Sequence, residues 1–277
     1  MRYVTPTTPA ETLATVQRLC RHHDHLKQLV QEYRVMRNEQ TLARLADPTF
    51  RTDPVAMTAG DSQQWLRTSL VLKLPYMPTA PFFVDVSHVY AKIRALVSAY
   101  DPTVAVDIYF ASAHITIKTI AEDVAQRRED LERYAALIRP LVQRWLACMA
   151  ETRLYALGLF TSLNRDKGLS IGLCFYPSLP LLQIMRGEVG IALYDHISEL
   201  PLRPEEKFHT MLTHSTGCRI RLRDFPLSPE FITDFQAVVE SYNQHLFGLI
   251  DQLRPDDFVI RHGYSDQLIP LVEVSCA

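Results

Sequence analysis

The chain contains no run of about 18 apolar residues, the length that a membrane-spanning helix needs, and its opening Met1-Arg-Tyr-Val-Thr-Pro lacks the apolar core of a secretory signal. Cysteine is sparse. Cys20, Cys148, Cys174, Cys218 and Cys276 are scattered, odd in number and never spaced as C-x-x-C. That pattern argues against a disulfide framework and a zinc ribbon, and a reducing, cytoplasmic setting with no membrane partner is the expectation. Charge of one sign is also missing. The formal net charge of −2 leaves no general basic field, which excludes a sequence-independent nucleic-acid coat but not a small basic pocket for one phosphate. There is no low-complexity segment.

What is present suits a folded chain: 277 residues, 47% of them hydrophobic, enough for a sizeable core. Thr8-Pro9-Ala10-Glu11 combines a capping threonine, a proline at the first helical position and a glutamate three residues on. It opens a helical segment that ends before Asp47-Pro48, followed by a polar linker from Thr49 to Asp61. Strands are expected at Ser69–Pro75, Val106–Ile120, Tyr155–Leu163, Leu169–Tyr176, Phe208–Leu222 and Leu268–Val274. Asn164-Arg-Asp-Lys167-Gly168 reads as a hairpin turn. Helices are expected over Val89–Tyr100, over Glu129–Met149 with Pro140 inside it, after Ser178, and after Ser228-Pro229. Each half then holds a strand, a helix, a strand carrying a histidine and a further helix.

The chemistry concentrates in two of these strands. In Ala113-His114-Ile115-Thr116-Ile117-Lys118, alternation puts His114, Thr116 and Lys118 on one face and the isoleucines on the other. A buried sheet face does not normally carry three hydrogen-bonding groups in a row, so these need water or a ligand. In Thr213-His214-Ser215-Thr216-Gly217-Cys218-Arg219, His214 and Thr216 share a face. Strict alternation sends Arg219 the other way, and a bulge at Gly217 would bring it back. His209, followed by Met211, is a rival phase for the second histidine, but methionine offers no hydroxyl. Two H-x-T triplets on separate strands, each followed by a helix, are a far more specific signal than one.

On these residues the stretch from Arg67 to Val274 resembles the 2H phosphoesterases, the family of 2′-5′ RNA ligase-like proteins and cyclic phosphodiesterases. His114-Ile-Thr116 and His214-Ser-Thr216 match its two H-x-[ST] motifs, and Arg219 falls where many members carry arginine. The resemblance implies an α+β, bilobal fold: two antiparallel-rich sheets related by pseudo-twofold symmetry around a central cleft, flanked by helices. Residues 1–60 would form a helical N-terminal extension and linker, and residues 61–277 the phosphoesterase-like domain. It further implies metal-independent hydrolysis or reversible ligation of a cyclic phosphate or 2′-5′ phosphodiester in a nucleotide or RNA end, with no cofactor. His114 and His214 would be acid and base, and Thr116, Thr216, Lys118, Arg219 and Tyr76 would contact substrate.

The residue types fit that chemistry. Histidine titrates near neutrality, so one can act as base while the other acts as acid. Threonine hydroxyls can donate to non-bridging phosphate oxygens. Tyr76, Phe175 and Tyr176 end expected strands and could stack on a base. No Asp-rich or Cys-rich cluster accompanies either motif; His22 and His23 diverge by about 100° around a helix, and Arg21 and Gln28, the helical neighbours of His25, are not typical metal ligands. Two other readings remain: a nucleotide or RNA-end sensor that binds without chemistry, and a helical module in which residues 1–60 dimerise or dock.

Overall fold

The computed structural model describes residues 8–19, 23–54, 66–74, 81–109, 112–196, 213–243, 249–264 and 269–277. Its helices are Pro9–Leu19 (α1), His23–Leu45 (α2), Pro81–Tyr100 (α3), Arg128–Glu151 (α4), Leu181–His196 (α5) and Pro229–Asn243 (α6). Its strands are Leu66–Lys73 (β1), Val106–Ile108 (β2), His114–Glu122 (β3), Arg153–Asn164 (β4), Gly168–Pro177 (β5), Thr213–Ile220 (β6), Leu249–Gln252 (β7), Phe258–Tyr264 (β8) and Ile269–Ser275 (β9). The fold is α+β, built on two antiparallel sheets. One has four strands, in the order β3-β1-β8-β9, and the other has five, in the order β2-β6-β5-β4-β7.

Local signals explain the helix starts. The Glu11 N–H donates to Thr8 Oγ1 at 3.2 Å while the Thr8 N–H donates to the Glu11 carboxylate at 3.1 Å, a reciprocal box at the head of α1. Ser228 Oγ accepts from the Phe231 N–H at 3.1 Å and caps α6. α4 runs on through Pro140. The N-terminal helices are built into the body: Val16 and Leu45 are fully buried in the main core. α2 lies along β4, where Arg34 donates to the Leu159 carbonyl at 3.2 Å and Arg44 to the Leu163 carbonyl at 2.8 Å. Asn38 Oδ1 accepts from the Thr161 N–H at 2.8 Å. Among the described residues no helix is long and apolar enough to cross a membrane.

Two expectations need correction. Val106–Ile120 is not one strand. β2 pairs with β6 in the five-stranded sheet and the Tyr109 N–H extends that pairing to the Gly217 carbonyl at 2.9 Å, after which the chain changes sheets and begins β3. The halves of the sequence therefore do not map one to one onto the sheets. The second correction is to strict alternation. In β3, Leu70 faces Lys118 while its neighbour Val71 faces Thr116, so Ile117 is an extra residue. A second slip leaves Ile120 extra. In β6, Gly172 faces Thr216 and Ile171 faces Cys218, so Gly217 is extra. Each bulge inverts the alternation of the residues beyond it. β7 and β8, which the sequence reading lacked, complete the two sheets.

Candidate active site

Opposed residues in a ladder point to the same side of a sheet. On β3 the side facing the second sheet therefore reads His114, Thr116, Thr119 and Glu122, opposite Lys73, Val71, Ser69 and Arg67 of β1. On β6 it reads His214, Thr216 and Arg219, opposite Cys174, Gly172 and Ser170 of β5. The bulge at Gly217 returns Arg219 to the histidine face. The bulge at Ile117 does the reverse to Lys118, which shares the helix-packed side with Leu70. There a Cβ added at Gly190 of α5 would lie 3.8 Å from its Nζ.

Between the sheets lies a cavity of about 340 Å³, within the range of small-ligand sites. Both triplets line it: His114 with Thr116, and His214 with Thr216. Arg219 lines it too, and Lys118 does not. Tyr76 and His209 lie outside the described residues. Phe175 is fully buried in the core, and Tyr176 packs with Val30 and Phe160, so neither aromatic reaches the cavity. Of the His22–His25 cluster, only His25 has a described side chain, and it is exposed. Among the described residues no group of three or more His, Cys, Asp or Glu side chains is arranged to hold a metal ion.

The two motifs touch. Ser215 Oγ, from the middle of the second triplet, accepts the backbone N–H of His114 at 3.2 Å. That bond gives a role to Ser215, which lies between the two cavity-lining residues of its triplet. The bulged β6 also needs a glycine of its own and one on its β5 partner. A Cβ at Gly217 would stand 2.5 Å from the buried Tyr90 hydroxyl, and one at Gly172 would stand 2.5 Å from the Ser215 carbonyl oxygen.

The cavity is electropositive. Arg37, Arg67, Lys167, Arg219 and Arg261 line it, and among the described residues no carboxylate side chain does. Glu122 pairs with Arg67, and Glu273 accepts from Arg261 Nε at 2.6 Å. In a partly water-excluded space such clustered cations favour an anion.

The histidines sit differently. His114 Nδ1 lies 2.8 Å from the Ser112 carbonyl oxygen and 2.8 Å from Arg261 Nη1, which itself donates to that carbonyl at 3.0 Å. In either tautomer Nδ1 is committed to these neighbours and Nε2 is left for the cavity. Burial, and then the Arg261 guanidinium, push the His114 pKa down to about 3, so the ring is neutral across the physiological range. The His214 ring instead packs on Phe160, with centroids 4.7 Å apart and planes tilted by 59°.

Sequence reasoning missed Arg261 and Glu273 because they sit on β8 and β9 and meet His114 only through strand pairing. It read Lys167 purely as turn. Arg67, Ser69 and Val71, by contrast, alternate along β1 toward the cavity, a signal that was available. No protein-family model matches the chain, and no curated protein matches it.

Proposed function

We propose that the cavity binds a phosphodiester of a nucleotide or RNA end and cleaves it, without a metal ion, by general acid–base catalysis between His114 and His214. The reading rests on one observation: both H-x-T triplets, from strands of different sheets, line a single cation-rich cavity. In this reading the two sheets are lobes related by a pseudo-twofold axis through that cavity, as in the 2H phosphoesterases. With a 2′,3′-cyclic phosphate, a water oxygen attacks phosphorus and His114, neutral at working pH, takes the water proton. The bond from phosphorus to one ribose oxygen breaks, and His214 protonates that oxygen as it leaves. Each proton transfer contributes on the order of 10²–10⁴-fold in rate.

Charge on the non-bridging oxygens is met by Thr116 and Thr216, whose hydroxyls bond to no described protein group, and by Arg219. The decisive experiment is a screen of the purified protein against 2′,3′-cyclic nucleotides, 2′-5′-linked dinucleotides and RNA ending in a cyclic phosphate. At least one should turn over, with the rate unchanged by EDTA. Activity lost in chelator and restored by a divalent ion would overturn the mechanism. Binding of these ligands with no turnover would move the assignment to a nucleotide or RNA-end sensor using the same pocket.

A further inference from the structure

We propose that the cavity holds a second anion subsite, made by Arg67, Ser69, Lys167, Ser170 and Arg219, which takes a second phosphate of the same ribonucleotide. The inference rests on the phosphodiester reading above and narrows it to substrates with two phosphates separated by one ribose.

Register supplies the geometry. On β1, Ser69 lies two residues from Val71, the residue opposite Thr116. On β5, Ser170 lies two residues from Gly172, the residue opposite Thr216, and Ser170 itself faces Arg219. Two strand residues span about 7 Å, so in both sheets the second polar group sits one step beyond the H-x-T pair, in the same direction. A phosphate held between the histidines, even with Arg219 reaching to it, leaves the Ser69 and Ser170 hydroxyls of that step to a second group. The next phosphate of a nucleotide, across its ribose, falls at about this reach.

The chemistry of the step is that of an anion site. Ser69 is 5% exposed and lines the cavity, and its Oγ has no hydrogen-bond partner among the described residues. A buried hydroxyl of this kind is normally satisfied by ordered water or a bound group, and here it faces the cavity. Lys167, in the turn between β4 and β5, closes this end of the cavity. Arg67 of β1 and Arg219 of β6 face it as like charges, while Asp166 beside it and Glu122 of β3 oppose them. Burial and those two guanidiniums bring its pKa down to about 7. A bound phosphate reverses that repulsion, so Lys167 takes up a proton when the subsite fills near neutral pH.

The test is calorimetry on the full chain with adenosine 3′,5′-bisphosphate, adenosine 3′-monophosphate and adenosine 5′-monophosphate. The bisphosphate should bind at least roughly tenfold tighter than either monophosphate, the gain of one hydrogen bond to a charged group. Its binding at pH 7 should take up a proton, read from the dependence of heat on buffer ionisation enthalpy, and Lys167→Met should remove that uptake and most of the gain. A short RNA with a 3′-phosphate presents the same spacing. Tighter binding of the RNA assigns the subsite to RNA ends, and tighter binding of the bisphosphate assigns it to free nucleotides. Equal affinities for the bisphosphate and both monophosphates with no gain for the RNA, or no binding at all, overturns the subsite. Preference for two phosphates without hydrolysis of any cyclic phosphate leaves the subsite standing and removes the proposed chemistry.

Discussion

β3 and β6 carry the same triplet and break pairing at the same place, one residue past the threonine, yet they secure the break by opposite means. In β3 the extra residue is Ile117, fully buried among apolar neighbours. In β6 it is Gly217, whose missing side chain leaves room for Tyr90. The histidines differ likewise: His114 is braced by a guanidinium and a carbonyl, and His214 by an aromatic face. One local geometry can thus be held by filling space or by leaving it empty. In the proposed mechanism the asymmetry of the supports would let two identical side chains take unlike proton-transfer roles.

The comparison breaks most completely at the histidines. His114→Ala and His214→Ala should each lower kcat on a cleaved cyclic phosphate by about 10²–10⁴-fold, and the double variant should be little worse than either, because acid and base act as a unit. Steady-state kinetics on folded variants checks this. Full activity in either single variant would remove that histidine from the mechanism.

Next come the bulges. Ile117→Ala should cost about 2–5 kcal/mol of stability, as a cavity in a packed core does. Gly217→Ala should cost less, about 1–3 kcal/mol, as overpacking against Tyr90. Denaturant unfolding of both variants measures the difference, and a stabilised Gly217→Ala would show that Tyr90 gives way freely.

Arg261→Met sharpens the histidine asymmetry. With the guanidinium gone, the His114 pKa should rise from about 3 toward its ordinary 6.5. A base works only when deprotonated, so the acid limb of kcat/KM should move up in pH. The stability linkage has the same direction. A histidine whose folded pKa lies below its unfolded one stabilises the fold above pH 6.5, and that stability is lost as pH falls from 6.5 toward 3. Arg261→Met should lose less over that window. NMR titration of the ring reads the shift directly, and an unmoved pKa would mean that burial alone sets it. The smallest effect is expected at Lys118→Met, which should change KM by less than about twofold, since the buried ammonium lies on the helix-packed side of the sheet and does not line the cavity.

That last residue shows where reading the sequence stops. The H-x-T pair was legible because it lies before either bulge, where alternation still holds. Lys118 comes just after one, so the same rule put it on the wrong side, while Arg219 was recoverable only because a glycine flagged its bulge. Isoleucine gives no such flag at positions 117 and 120. The Glu273–Arg261–His114 chain was out of reach for a different reason: Arg261 lies 147 residues from His114, and they meet only through the order β3-β1-β8-β9, for which the local sequence holds no signal. Helix starts set by neighbours within one turn were legible at Thr8 and Ser228, whereas α3 begins at Pro81, ahead of the expected Val89, and α2 begins anew at His23.

The crossing between β2 and β3 has a mechanical consequence. Five residues, 109–113, carry the chain from one sheet to the other immediately before His114, and Ser215 then ties the two strands from the far side. The sheets are stitched at the very seam where the histidines meet, so they cannot part there like the jaws of a clamp. For the proposed pocket this means that parting the sheets at that seam would break the Ser215–His114 bond, so a largely preformed site is the expected consequence.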